Sequence, residues 1–139
     1  MTDNTGFEKK NYNYGSWTKG RFSEAVTVTG PGKMIFLAGI GPEHEETGEI
    51  MHPGDFPAQL RYAYEKLKKV LEKNGATMAD VVKQVSYYVD VRYAKEGVPI
   101  RAAAYGEAPL PAHTSLTVSA LAWPGMLCEI DIIAVVPLK

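Results

Sequence analysis

Cysteine is nearly absent from this 139-residue chain. Cys128 stands alone, so an internal disulfide and a thiolate metal cage are both ruled out. An excess of one charge is missing too. The formal net charge is −1, which leaves no broad basic field for nucleic acid. No apolar run approaches the roughly 20 residues of a membrane span. The opening MTDNTGFEKKNYNYGSW lacks the apolar segment of a secretory signal. These absences lead to the expectation of a cytoplasmic protein with neither membrane nor nucleic acid as partner. Several catalytic signatures are missing as well. Gly30-Pro31-Gly32-Lys33 is too short for a phosphate-binding loop, and no Ser or Thr follows the lysine. There is no Gly-x-Ser-x-Gly elbow and no dinucleotide fingerprint.

What is present is an ordinary globular composition, 45% apolar and 22% charged, sized for one domain. Residues 1–22 are polar with interleaved Tyr12, Tyr14 and Trp17, and read as an N-terminal arm. Residues 23–139 read as a single domain. AVTVTG and KMIFLAGIG flank the Gly30–Lys33 turn and predict a β-hairpin. Residues 41–55 read as a loop, with a small strand at Glu49–Ile50. Asp55 is an N-cap for a helix whose stripe is Phe56, Leu60, Tyr64, Leu67 and Leu71, ended by Asn74-Gly75. Thr77 and Asp80 predict a short capped turn. Residues 81–91 read as a strand, and a shorter helix around Pro99 ends near Gly106. Two strands, 114–121 and 127–136, follow on either side of a Pro124-Gly125 turn. The order describes an α+β domain with two helices on one face of the sheet.

Alternation in the last strand assigns its faces. Cys128, Ile130, Ile132 and Ala134 are apolar and share the helix-covered side. Leu127, Glu129, Asp131, Ile133 and Val135 share the other side. That mixture of acids and large apolar groups does not suit a fully solvated face, so another subunit is expected to cover it.

Glu129 and Asp131 then have two readings. One is a general acid or base in a partly dry pocket. The other is a structural acid paired across the interface. His113, after Pro111-Ala112, is either a ligand-binding or proton-transferring imidazole, or a hydrogen-bonded strand-end histidine. His44 and His52 border a loop with four glutamates. Without a His-x-x-x-His pair this reads as a solvated loop, and no metal site is assigned. Cys128 has the parity of a buried, inert thiol.

FSEAV, MIFLAGIGP, TGEI, GDFPAQLRYAYEKLKKVLEKNGATMADVVK, YYVDV, PAHTSLTV and EIDIIAVV, taken in order, resemble the Rid family of reactive-intermediate deaminases, also called YjgF-type. The resemblance covers about Phe22 to Val136. It implies a chorismate-mutase-like α+β fold with a mixed β-sheet. It also implies a homotrimer whose sheets form an internal barrel, with ligand clefts between subunits. Typical members hydrolyse enamines and imines to a keto acid and ammonia, without metal or organic cofactor. Glu129 matches the family's water-positioning glutamate. Phe22 stands where an aromatic residue is usual, Gly39 at the ligand-side glycine, Ser115 at a small or cysteine position, and Arg92 at a position often Asn. The family's carboxylate-gripping arginine is replaced by His113. The expected function is therefore a divergent imine or enamine hydrolase. Glu129 and His113 would be its catalytic residues, and Phe22, Gly39, Arg92, Ser115 and Asp131 would contact the small-molecule substrate. The alternative is a non-catalytic small-molecule binder or sensor on the same trimer. The endoribonuclease or translation-inhibitor role attached to the family ranks third.

Overall fold

A computed structural model describes residues 6–138. Residues 1–5 of the expected arm, and Lys139, lie outside the described residues. The chain runs β1 (Glu8–Tyr12), β2 (Ala25–Thr29), β3 (Gly32–Phe36), α1 (Phe56–Lys73), β4 (Val81–Tyr88), α2 (Arg92–Glu96), α3 (Val98–Tyr105), β5 (Ala112–Thr117) and β6 (Cys128–Pro137). β3, β6, β4 and β5 form a four-stranded mixed sheet in that order, while β1 and β2 form a separate antiparallel pair.

The first long helix follows its sequence signals closely. The Asp55 carboxylate accepts the Ala58 N–H at 3.1 Å, which caps the start. Phe56, Leu60, Tyr64, Leu67 and Leu71 are all buried. At the far end, Gly75 takes a positive φ of 82°, and the Ala76 N–H returns to Leu71 O at 2.9 Å. Thr77 and Asp80 close a capping box around the single turn Met78–Asp80. The stripe of α1 packs on Cys128, Ile130, Ile132 and Ala134 of β6, each at most 1% exposed.

Four expectations are corrected. The Gly30–Lys33 turn is not a hairpin, because β2 pairs with β1 and β3 pairs with β6. Gly30, at φ 92°, and Pro31 redirect the chain instead of folding it back, which lets β3 carry Ile35 into the core. The strands around Pro124-Gly125 are not neighbours either. The α2–α3 crossover returns β5 parallel to β4, so β4 separates β5 from β6. The predicted strand 81–91 stops at Tyr88, and Arg92–Glu96 forms a short helix of its own before Gly97. Leu127 precedes β6 and packs against the core, not on the opposite face. β1 has no signal in the sequence: EKKNY is polar almost throughout, and its five residues are fixed by pairing with β2.

The face of the sheet away from the helices sets large apolar side chains among the acids Glu129 and Asp131 and is open in the single chain. Met34, Phe36 and Leu116 are 57%, 67% and 44% exposed there, beside Ile133. Among the described residues no helix is long and apolar enough to cross a membrane.

Candidate functional site

The matched residues fall into two groups, separated by strand parity. On β5, His113 and Ser115 point to the helix side with Gln84 and Ser86 of β4. On β6, Glu129 and Asp131 point to the opposite side with Tyr87 and Val85.

His113 and Ser115 line a cavity of about 310 Å³ together with Phe22, Trp17, Arg21 and Arg101. Local hydrogen bonding assembles it. The Ser23 N–H bonds Pro111 O at 3.0 Å, the Ser23 hydroxyl bonds Leu110 O at 2.7 Å, and the Asn11 amide reaches the same carbonyl at 2.9 Å. These bonds fasten the segment bearing Phe22 to the start of β5, beside His113. The Glu24 carboxylate accepts the Tyr14 and Gly15 N–H groups and the Thr18 hydroxyl, at 2.5, 2.9 and 2.8 Å. The Gly15 and Thr18 bonds lead in lowering its pKa. This staple sets the turn Ser16–Thr18, so that the Trp17 ring meets Phe22 edge-on, with centroids 6.1 Å apart. Trp17 thus lines its own chain's cavity.

Behind the cavity runs a buried polar chain. The Tyr105 hydroxyl donates to Gln84 Oε1 at 2.5 Å. Gln84 Nε2 donates to the Tyr64 hydroxyl at 2.9 Å and to Ser86 Oγ at 3.0 Å. Ser86 Oγ in turn lies 2.9 Å from His113 Nε2, which fixes the ring. Burial first, then the positive charges of Arg101 and Lys83, push the His113 pKa down to about 3. The imidazole is therefore neutral at physiological pH, a hydrogen-bonding group and not a cation.

This has a consequence for stability. His113 titrates at 6.5 in its ordinary state and near 3 in the fold, so the unfolded chain holds the extra proton between those values. The stability gained by keeping the ring neutral is complete above pH 6.5 and is lost progressively as pH falls toward 3. His113→Gln is expected to flatten that acid limb. Denaturant unfolding of both proteins at neutral and mildly acid pH measures it.

The second group surrounds Glu129. A Cβ on Gly39 would stand 1.7 Å from Glu129 Oε2, so the carboxylate occupies the space a side chain would fill. Among the described residues it accepts no hydrogen bond. Desolvation first, then the negative charges of Glu43 and Asp131, raise its pKa. Asp131 is engaged differently, accepting the Tyr87 hydroxyl at 3.0 Å. Glu43 lies 3.6 Å from the Lys66 ammonium, with Oε1 otherwise unpartnered.

Arg92 joins neither group. Its guanidinium grips the Asp90 carboxylate through Nε and Nη2 and is 85% exposed, beside Tyr93, Lys95 and Glu96. Cys128 is fully buried, and burial pushes its thiol up to about 12, so it is inert. Among the described residues no cluster of three potential metal ligands occurs.

Sequence reasoning missed Arg101, Gln84, Ser86 and Glu43. The first three had a signal. Arg101 lies one helical turn before buried Tyr105 on α3, which places a cation at the border of the core-facing side. Gln84 and Ser86 share parity with buried Tyr88, which places polar side chains on the core face.

The arrangement defines a class: an α+β domain with an apolar-walled cavity and a neutral imidazole on one side of its sheet, and a partly desolvated carboxylate on the other. Residues 13–136 match the family model described as Endoribonuclease L-PSP. A RutC family protein of Pyrococcus abyssi is 36% identical over 115 residues, 83% of this chain and 86% of that protein. The 2-iminobutanoate/2-iminopropanoate deaminase of Escherichia coli is 33% identical over 60 residues, 43% of this chain and 45% of the deaminase. A solved Rid family protein of Yersinia pestis superposes with a TM-score of 0.81 at 31% identity, covering 92% of this chain and 98% of the other. The chain belongs to the Endoribonuclease L-PSP family, the YjgF or Rid proteins.

Proposed function

We propose that this protein is a cytoplasmic imine or enamine hydrolase, working in a cleft between subunits of a homotrimer. The observation that carries this reading is the Glu129 carboxylate, held partly dry against Gly39 without a hydrogen-bond donor among the described residues. A raised pKa makes it a stronger base than an ordinary surface carboxylate. Glu129 takes a proton from water as the oxygen attacks the imine carbon, and the C=N electron pair moves to nitrogen. Glu129 passes that proton to the nitrogen to give the carbinolamine, then takes the carbinolamine hydroxyl proton and delivers it to the amino group as the C–N bond breaks, so that ammonia leaves, the C–O electron pair forms the carbonyl, and the carboxylate is restored. The cavity holding His113, Ser115 and Phe22 binds the substrate, with neutral His113 as a hydrogen-bonding partner. The open face, with its large apolar side chains, supports an assembly in which one chain's cavity meets its neighbour's Glu129. The E. coli deaminase among the relatives supports the reaction class.

Ammonia and keto acid released from 2-iminobutanoate generated in solution test the reading, with Glu129→Gln as the control. Turnover that survives this substitution contradicts the base assignment. A non-catalytic binder, the competing reading, instead yields ligand recovered unchanged. The net charge of −1 gives RNA cleavage little support.

The base assignment carries a pH signature. A working carboxylate must be ionised, so activity falls as pH drops through its pKa, and here desolvation and the neighbouring acids shift that limb upward. Glu43→Gln removes one of the neighbouring negative charges that raise the pKa. The acid limb of kcat/KM is expected to move to lower pH in that variant.

A further inference from the structure

The buried polar chain behind the cavity has a direction, and its distances give it. The Tyr105 hydroxyl lies 2.5 Å from Gln84 Oε1, whereas Gln84 Nε2 lies 2.9 Å from the Tyr64 hydroxyl and 3.0 Å from Ser86 Oγ. O–H···O bonds span about 2.5–3.0 Å and N–H···O bonds about 2.7–3.2 Å. The short contact fits a hydroxyl donating to the carbonyl, and the two longer ones fit the amide donating. Both amide protons of Gln84 are then in use. Ser86 Oγ accepts one of them and has a single proton of its own to place. Gln84 and Ser86 are fully buried, so solvent does not reach that proton. His113 Nε2 lies 2.9 Å away and can accept it. With a proton on Nε2 instead, the ring would make Ser86 accept twice and strand the serine proton in the core. The proton of the neutral imidazole therefore belongs on Nδ1. Nδ1 has no partner among the described residues, and the ring lines the cavity. The Tyr88 hydroxyl, whose pKa Ser86 lowers, is a second neighbour of the serine. It brings its own proton, and donating that to Ser86 still sends the serine proton to His113.

We propose that Gln84 and Ser86 are positioning residues of the cavity, which hold the His113 proton on Nδ1 and so make the imidazole a fixed hydrogen-bond donor toward a ligand. The inference rests on the reading of this cavity as the ligand site. It gives the cavity a chemical preference. A ligand sets an acceptor lone pair, such as a carbonyl oxygen or an imine nitrogen, against His113. A ligand that presents an N–H or O–H there brings two protons face to face and is turned away. Tyr64 and Tyr105 take part at one remove, because they orient the Gln84 amide that faces Ser86.

Nitrogen-15 NMR of the full chain at neutral pH reads the tautomer directly. Wild type is expected to carry the His113 proton on Nδ1 by about tenfold or more over Nε2. Ser86→Ala lets the proton distribute over both nitrogens, and Gln84→Leu does the same in its folded fraction. Tyr88→Phe leaves the wild-type pattern unchanged. Pyridine, an acceptor, and pyrrole, an N–H donor, then probe the cavity through the same signals. Pyridine is expected to shift the Nδ1 signal at concentrations about tenfold or more below those pyrrole needs, and to lose that advantage in Ser86→Ala. A proton on Nε2 in wild type, a Ser86→Ala or Gln84→Leu spectrum identical to wild type, or a Tyr88→Phe spectrum unlike it overturns the inference. So does pyrrole acting as well as pyridine, or no shift from either. The hydrolase reading is scored separately, by the Glu129 dependence of turnover. A fixed Nδ1–H tautomer with pyridine preference but no Glu129-dependent turnover leaves this inference standing and removes that reading. Glu129-dependent turnover with a mixed tautomer does the reverse.

Discussion

Gly39→Ala is expected to cut imine hydrolysis by about a hundredfold or more while leaving the melting temperature nearly unchanged. The added Cβ would stand 1.7 Å from Glu129 Oε2 and 2.6 Å from its carboxyl carbon. Both atoms belong to the far end of a flexible side chain, so the conflict is resolved by rotating the carboxylate away. Gly39 itself is not in the left-handed region, and alanine brings no backbone strain there. The fold therefore tolerates the methyl group, but the base is re-aimed by more than an ångström. Circular dichroism melts and ammonia release from 2-iminobutanoate measure the two effects together. Full activity in Gly39→Ala would mean that the carboxylate position seen here is not the working one. A large loss of melting temperature would mean that Gly39 serves the fold.

Gln84→Leu is expected to act the other way, on stability first. Gln84 is fully buried and joins three other buried groups: the Tyr105 hydroxyl, the Tyr64 hydroxyl and Ser86 Oγ. Leucine fills similar space but offers nothing to them. Tyr105 is left donating to no acceptor, and Tyr64 and Ser86 each lose a donor. A buried polar group stripped of its partner costs about 1–3 kcal/mol, so the three together cost at least about 3 kcal/mol. That is a large part of the roughly 5–15 kcal/mol that holds a domain folded. Urea unfolding reads the loss directly. A midpoint equal to wild type would show that the three hydroxyls find other partners. Ser86 also holds His113, so the surviving folded protein is expected to bind cavity ligands more weakly.

The parts of the fold that are legible in sequence are those fixed by local chemistry. Asp55, the Phe56–Leu71 stripe and Gly75 specify α1 through capping, periodicity and a left-handed terminus, all within one segment. Alternation along β6 sorts Cys128, Ile130, Ile132 and Ala134 from Glu129 and Asp131 for the same reason. Strand adjacency is not legible. β5 and β6 are consecutive, yet β4 lies between them, because the α2–α3 crossover determines where β5 is laid. β1 escapes notice because a polar ribbon held by backbone pairing carries no hydrophobic pattern.

The site is legible in part. Phe22, His113 and Ser115 meet in one cavity, and Glu129 meets Gly39. Arg92 looks available as a substitute cation, but Asp90 two residues earlier captures it. Arg101 reads as one more charged residue of a short helix. Its place beside His113 depends on where α3 is laid over β5, which the helical period alone does not give.

The central claim is that each chain carries two incomplete half-sites, on opposite faces of one sheet, and that association of chains joins them. Co-expression of His113→Gln with Glu129→Gln tests it most directly. Each variant alone is expected to be nearly inactive. Random mixed assemblies place an intact cavity beside an intact carboxylate in about a quarter of the clefts, and recover about that fraction of wild-type activity. Mixed assemblies that remain as inactive as either parent would contradict the account.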